Sequence, residues 1–424
     1  MSKNCSHLFT KETEKRLFTE TLLPCFLRGE SVTAFWVRHA GRRRTGRFLV
    51  QNAKHLGFEA LAKYKIINVP AENLIEKTPP GFFQLMLSCL NPETNSQSSE
   101  RAFFVLKEEI EKLVGRGYHL IFILERFDEL NDEDNFPIAF FNNLHALWSV
   151  DKTKIHFLFA NSTDIFKSES FGKLGHLKEV ISQNLIHFPL LGNQDNAVCL
   201  QTLIQKYGYK VSHKQLSLIK KLSGGHASLN RAALRILQNY YSTNSEKILA
   251  FLADQYEIKV ILEDIWNSFD DEEKKSLIQI NQGTSLKKAK VPTRLLNLGI
   301  VVQEKTSSKL FSPLLENFIS NLKSDSPQIS LEAKTGEILI NGQPAKEKIT
   351  LQEYHLLLSF LKKKNLTLSR DQIAQALWGK DFEEKYSDWA IDQVISKLRL
   401  KLEHLGISSQ KLQTIRGRGY RWTE

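Results

Sequence analysis

The stretch Ile391-Asp-Gln-Val-Ile-Ser-Lys-Leu-Arg-Leu-Lys-Leu-Glu403 decides how the end of this 424-residue chain folds. Ile391, Ile395, Leu398 and Leu402 recur at four, three and four residues, the period of a helix with one buried face. The predicted helix runs from about Asp388 to His404. Burying its apolar face turns Gln393, Ser396, Lys397, Leu400 and Lys401 towards solvent. Upstream, Thr350-Leu-Gln-Glu353 has the spacing of a capping box before an apolar helix through Leu361. Ser369 is placed to cap a second helix, Arg370 to Trp378. Downstream, Thr414-Ile-Arg-Gly-Arg-Gly-Tyr-Arg-Trp422 is strand-rich, and its two glycines permit a tight reversal with Arg416 and Arg418 at the tip. Ile329 to Leu331 and Glu337 to Ile340, turned at Asn341-Gly342, add a small sheet in front.

Charge is concentrated in this region. From Ile395 to Arg421 the only acid is Glu403 and the segment carries a net +6, against +11 for the whole chain and a pI near 9.2. A polar, basic helix on a three-helix scaffold fits a major groove, and an arginine-bearing hairpin fits a minor groove.

In motif order and spacing, the domain from Ile329 to Glu424 resembles the OmpR/PhoB-type winged helix. The resemblance is carried by Ile349-Thr-Leu-Gln-Glu353, by Leu368-Ser-Arg-Asp-Gln-Ile373 closing with Leu377-Trp-Gly379, and by the stretch quoted first. The wing, Thr414-Ile-Arg-Gly-Arg-Gly-Tyr-Arg421, completes it. The resemblance implies double-stranded DNA as partner, with Gln393, Ser396 and Lys397 at bases or phosphates and Arg399 near phosphate. It also puts Arg416 in a minor groove with Thr414 beside it. Lys401, one turn beyond Lys397, and Arg418 at the wing tip join that surface. RNA polymerase, through the loop Gly379 to Tyr386, and self-association are the further partners considered. Two departures stand out: Lys364-Asn365 replaces a common glycine, and Trp389 and Ala390 open the helix where polar contacts are usual.

The N-terminal half alternates strands and helices. Apolar runs at Val32 to Val37, Lys65 to Val69, Leu120 to Leu124 and Ile155 to Phe159 predict a parallel sheet, with crossover helices such as Ala102 to Val114 and Ala139 to Trp148. After the first strand, Arg38-His-Ala-Gly-Arg-Arg-Arg-Thr45 occupies the place of a phosphate-binding loop, GxxxxGK[ST]. Gly41 lies inside it and Thr45 stands at the magnesium-binding hydroxyl, but Arg38 and Arg43 replace the glycines and Arg44 the lysine. The third strand ends with Glu125 where a magnesium-organising Asp is usual, and Arg126 follows where a water-activating Glu is usual.

This layout resembles the AAA+ and STAND class of P-loop ATPases, from Phe9 to Ile319. Leu222-Ser-Gly-Gly-His-Ala-Ser-Leu-Asn-Arg231 is similar to the lid motif of that class, which implies a nucleotide-sensing role for Arg231. Asn161 and Ser162 end the strand used as a sensor. Side chains in place of glycines obstruct the close approach by which amides cradle phosphate, and a guanidinium fork is not a compact ammonium. The expectation is therefore an ATPase-like module without turnover, serving assembly or partner binding, with no catalytic residue and no required cofactor. The alternative kept open is an ATP-binding, STAND-like switch with DNA-binding output, whose nucleotide site would be Gly41, Arg44, Thr45, Glu125 and Arg231. Arg38, Arg42, Arg43, Arg44, Arg47 and Lys54 lie in an acid-free segment from Ser31 to Phe58, which is also suited to phosphate of another kind, the DNA backbone included.

The expected fold class is an α/β P-loop-like domain with a helical lid, followed by two winged helix-turn-helix domains of α+β type. The domains are 1–192, a lid over 193–255, a first winged helix over 256–323, and the DNA-binding winged helix over 329–424. The first winged helix is read from a helix opened by Asp270, Asp271 and Glu272, a second ending at Leu298-Gly299, and a hairpin of Ile300 to Gln303 with Lys309 to Ser312. Ser324 to Gln328 is the linker. Four cysteines lie far apart without paired spacing, so no disulfide framework and no metal site is expected. With no apolar leader and no stretch able to span a bilayer, the expected location is the cytoplasm, away from membranes.

Overall fold

The computed structural model describes the chain apart from residues 1–8, 54–55, 57–62, 94–98, 133, 168, 241, 243, 285–289, 305–306, 325–328, 332–337, 341–342, 345–349, 364–365, 380–386, 406, 408, 416 and 424. It divides into two compact units, Met1–Ile319 and Ser320–Glu424.

The first unit opens with α1 (Lys11–Glu14), a π-helical stretch (Lys15–Leu22) and α2 (Leu23–Leu27), elements with no counterpart in the sequence reading. The sheet strands are β1 (Val32–Trp36), β2 (Tyr64–Pro70), β3 (His119–Glu125), β4 (Ile155–Asn161) and β5 (Leu185–Phe188), in the order β2-β3-β4-β1-β5. All pairings are parallel. Four strands were expected, and the fifth, β5, lies at the edge beside β1. Its alternating exposure explains why no apolar run announced it. β1 and β4, buried on both faces, are continuous apolar runs, as central parallel strands are.

Between the strands run α3 (Arg42–Asn52), α4 (Pro79–Leu90), α5 (Ala102–Gly115), α6 (Phe127–Asp132), α7 (Ile138–Trp148) and α8 (Lys178–Ile181). One sheet face packs on Phe82, Phe83, Leu106, Ile110, Phe140 and Leu144. The other packs on Phe18, Phe26, Phe48 and Leu49. This is a five-stranded, all-parallel α/β sheet covered by helices on both faces. Its strand order reverses between β1 and β4, so a crevice opens outside their carboxyl ends, where such sheets hold ligands.

The helices α9 (Asn193–Tyr207), α10 (His213–Ser223), α11 (Ala227–Leu237), α12 (Ser245–Asp254) and α13 (Tyr256–Asn267) follow. Then come α14 (Asp271–Asn281), α15 (Thr293–Asn297), the antiparallel hairpin of β6 (Val301–Gln303) with β7 (Ser308–Leu310), and α16 (Pro313–Ser324), which carries the chain out of the first unit. Asp270 and Glu273 form the capping box that starts α14. Leu277, Leu295, Ile300 and Leu314 join the same continuous core as the sheet.

In the second unit, β8 (Ile329–Leu331), β9 (Ile338–Ile340) and β10 (Gln343–Pro344) form an antiparallel sheet; the Asn341-Gly342 turn lies outside the described residues. The helices are α17 (Leu351–Lys362), α18 (Arg370–Trp378) and α19 (Asp388–His404), with β11 (Thr367–Leu368), β12 (Leu412–Ile415) and β13 (Gly419–Trp422). β13 lies between β11 and β12. Three helices on a three-stranded wing sheet make a winged helix, and its own core gathers Leu356, Phe360, Ile373, Ile391, Ile395, Leu398, Leu402 and Trp422.

Candidate functional site

The crevice of the first unit collects the loop ends of four strands. Gly41, at φ 110°, is the N-cap of α3, a conformation that favours glycine, and Thr45 is buried one turn on with its hydroxyl donating to the Gly41 carbonyl. Arg44 lies on α3 outside the residues whose side chains are described. The other arginines of the loop are taken up by carboxylates. Arg38 pairs with Glu129 at 2.9 Å, Arg43 with Glu72 at 2.6 Å, and Arg42 reaches Asp128 at 3.5 Å and donates to Ser162 Oγ at 2.9 Å. Of the cations expected to face phosphate from the acid-free segment, Arg38, Arg42 and Arg43 are therefore not free, whereas Arg47 is exposed. The acids come from the turn after β2 and from α6, which sequence proximity does not show.

Asp128, almost wholly buried, is the hub. One of its oxygens accepts from the Ser162 and Thr163 amides and the Thr163 hydroxyl, at 2.9, 3.0 and 3.1 Å. Arg126, at φ 57°, turns to Glu129 at 3.0 Å. Glu125 is buried and accepts from Asn68 Nδ2 at 2.9 Å; burial pushes its carboxyl above the usual range, although Asn68 and Arg42 oppose the shift. Asn161, next to Ser162, turns its amide back on the Phe159 carbonyl. A cavity of about 320 Å³ remains, lined among others by Gly41, Glu125, Arg126 and Arg231. Arg231 is exposed there, with its guanidinium 5.0 Å from the centre of the Tyr207 ring.

The helical part is fastened to this loop by backbone carbonyls. Fully buried His226 presents Nε2 to the Arg38 carbonyl at 2.7 Å while its Nδ1 accepts from the Leu229 amide, so Nε2 carries the proton. Burial pushes its pKa down to about 4, which keeps the ring neutral. Ser228 Oγ donates to the His39 carbonyl at 2.8 Å, and His39 Nε2 lies 2.6 Å from Asp264 on α13. Further on, Arg294 of α15 is buried, bonded to both Glu273 oxygens at 3.0 and 2.8 Å and to the Ser162 carbonyl. Sequence reading passed over Asp128, His226, Ser228 and Arg294; the His226 and Ser228 signal was present in the Gly-Gly-His-Ala-Ser segment, which was read for Arg231.

In the second unit the capping boxes at Thr350/Glu353 and Ser369/Gln372 both form. α19 starts at its Ser387 cap and buries Ile391, Ile395, Leu398 and Leu402. Gln393, Ser396, Lys397 and Leu400 are exposed. Among the described residues, Gln393, Ser396 and Lys397 make no side-chain hydrogen bond or ion pair in the fold. Lys401 departs from the expected solvent face: it is mostly buried and its ammonium pairs with Glu353 at 2.5 Å. Burial works to raise the Glu353 carboxyl, but Lys401 and the Thr350 amide bring it below the usual range.

Arg399 is likewise drawn into the fold, donating to the Leu412 carbonyl at 3.0 and 2.6 Å and to Thr414 Oγ1 at 2.9 Å, which fastens the wing to α19. Tyr420 of β13 donates its hydroxyl to Asp392, with Arg370 2.9 Å from the same carboxylate. Burial and Asp392 push the Tyr420 phenol up to about 12. At the wing tip, Arg418 is exposed between Gly417 and Gly419, whose φ values of 72° and 121° make the reversal. Arg416 lies outside the described residues.

Residues 344–422 match the family described as transcriptional regulatory protein, C terminal. The chain is 40% identical over 82 residues to the regulatory protein VirG of Rhizobium rhizogenes, which is 19% of this chain and 33% of VirG. It thus spans about a third of the length of such curated relatives. Among solved structures, the DNA-binding domain of the response regulator AdeR is 27% identical, covering 23% of this chain and 94% of its own at TM-score 0.20. The Aeropyrum pernix ORC2 protein is 13% identical, covering 74% and 94% at TM-score 0.42. Among the described residues no helix is long and apolar enough to cross a membrane. The C-terminal part of the chain is therefore a transcriptional regulatory protein C-terminal domain of the OmpR/PhoB type.

Proposed function

We propose that the chain is a cytoplasmic transcription regulator that reads double-stranded DNA with α19 in the major groove and the β12–β13 wing alongside. The reading is carried by one observation: inside the segment that matches the regulatory family, α19 presents Gln393, Ser396 and Lys397 outward while its other cations are spent on the fold. Base and phosphate contact falls to Gln393, Ser396 and Lys397, with Arg418 and, at the next wing position but one, Arg416 on phosphate or the minor groove. Arg399, Lys401 and Thr414 take the lesser part of positioning these groups. In the full chain, Lys397→Ala and Arg418→Ala should each weaken duplex binding and flatten its salt dependence by about one unit of slope. Unchanged affinity in both would overturn the reading.

The first unit serves, in this proposal, as an assembly or partner module that works without nucleotide turnover. Support comes from the donor set. A magnesium nucleotide needs open amides, a free cation and an ionised acid, whereas Arg38, Arg42 and Arg43 are already paired and Glu125 is pushed towards its neutral form. Arg38, Arg42, Arg43 and Glu125 do not fit the group, and of the cations lining the cavity Arg231 stands exposed. Magnesium-dependent ATP turnover by the full chain, abolished by Thr45→Ala, would instead establish the nucleotide-driven switch.

A further inference from the structure

The outward ridge of α19 has an unusual make-up. Trp389, Gln393, Ser396 and Leu400 follow one another at four, three and four residues, which puts them in one line opposite the buried Ile391, Ile395, Leu398 and Leu402. Trp389 is 72% exposed and Leu400 58%. At these exposures neither side chain belongs to the core of this unit. Lys397 flanks the line, and the acids nearest in sequence are turned elsewhere: Asp392 to Tyr420 and Arg370, Asp388 to Arg370. The line is apolar at both ends and polar in the middle, with Lys397 on its flank and an exposed acid, Glu403, one step beyond Leu400. The stretch from Trp389 to Leu400 suits a partner that is anionic along its edges and offers methyl groups within. Duplex DNA rich in thymine is such a partner: its phosphates line the groove and the thymine 5-methyl groups project into it.

Resting on the DNA-binding reading above, we infer that this ridge selects A·T base pairs, with Trp389 and Leu400 covering thymine methyls and Gln393 pairing with an adenine. The chemistry is complementary position by position. A glutamine amide matches the adenine N6 donor and N7 acceptor together, while an indole face or a leucine offers nothing to the polar edge of G·C and gains from burying a methyl. From Trp389 to Leu400 the ridge rises about 16 Å along the helix axis, a reach of several base pairs. Lys397 then supplies affinity on phosphate without sequence preference.

The test uses the full chain and a random duplex pool, with wild type, Trp389→Ala, Trp389→Phe, Gln393→Ala and Lys397→Ala. Wild type should enrich an A·T core. Replacing its thymines by deoxyuridine, which removes only the methyl, should weaken binding about fourfold for each methyl covered, the transfer value of one buried carbon. Trp389→Ala should lose that sensitivity at one position and Trp389→Phe keep it; Gln393→Ala should relax the choice at one adenine. Lys397→Ala should weaken all duplexes alike and leave the profile unchanged. A G·C-rich profile, or equal deoxyuridine sensitivity in wild type and Trp389→Ala, overturns the inference while leaving DNA binding intact. Failure of wild type to bind any duplex overturns the underlying reading instead. Because Trp389 is exposed, matching circular dichroism of wild type and variants is the expected control.

Discussion

The arginines around the crevice of the first unit and the cations of α19 are alike in chemistry and opposite in use. Arg38, Arg42, Arg43, Arg126 and Arg294 each have a carboxylate of the same unit within reach. On α19, Arg399 and Lys401 are spent in the same manner, but Lys397 faces out without such a partner. A basic run in a sequence therefore does not say whether its charge is available. Availability is decided by acids that arrive from distant strands, and a phosphate ligand competes only for cations that the fold has left unpaired.

The largest effect should come from unpairing a spent cation. Arg294→Ala leaves Glu273 buried without its partner and should cost the first unit about 3–5 kcal/mol in thermal or denaturant unfolding. A loss below about 1 kcal/mol would show that the pair is not structural. Next in size is acid. His156 and His226 are both buried with pKa values near 4, against about 6.5 when unfolded. Between those values the unfolded chain binds more protons. Stability is thus fully present above pH 6.5 and falls as pH drops towards 4, at a limiting slope of about 1.4 kcal/mol per pH unit for each ring. His156→Phe should reduce that slope in a melting series.

Smaller, but more diagnostic, is the salt dependence of duplex binding. Arg42→Ala should leave the slope of log affinity against log salt unchanged, whereas Lys397→Ala should lower it by about one unit. Equal slopes for the two variants would show that Arg42 and Lys397 are equally available to phosphate. Smallest is Arg43→Ala, which breaks a half-exposed pair with Glu72 and should change stability by less than about 1 kcal/mol.

Local codes were legible in the sequence and tertiary ones were not. Thr350-Leu-Gln-Glu353, Ser369 and the Ile391, Ile395, Leu398, Leu402 period specify helices through contacts within a few residues, and the limits of α18 and α19 follow from them. β5 was missed because an edge strand alternates over only four residues. The pairing of Lys401 with Glu353 spans 48 residues, and that of Arg42 with Asp128 spans 86, so neither can be read from spacing. The left-handed turn at Gly41 was visible as a glycine, whereas the carboxylates gathered beside it were not.

Glu353 closes the first turn of α17 through the Thr350 amide and, with the same carboxylate, holds Lys401 on α19. One side chain thus braces α19 against α17, so that, if α19 reads DNA as proposed, little orientational freedom is left to lose on contact. Damage to the brace by Glu353→Ala should therefore blur discrimination between related sites as well as loosen the fold, because a reading head free to rock fits right and wrong sequences almost equally well.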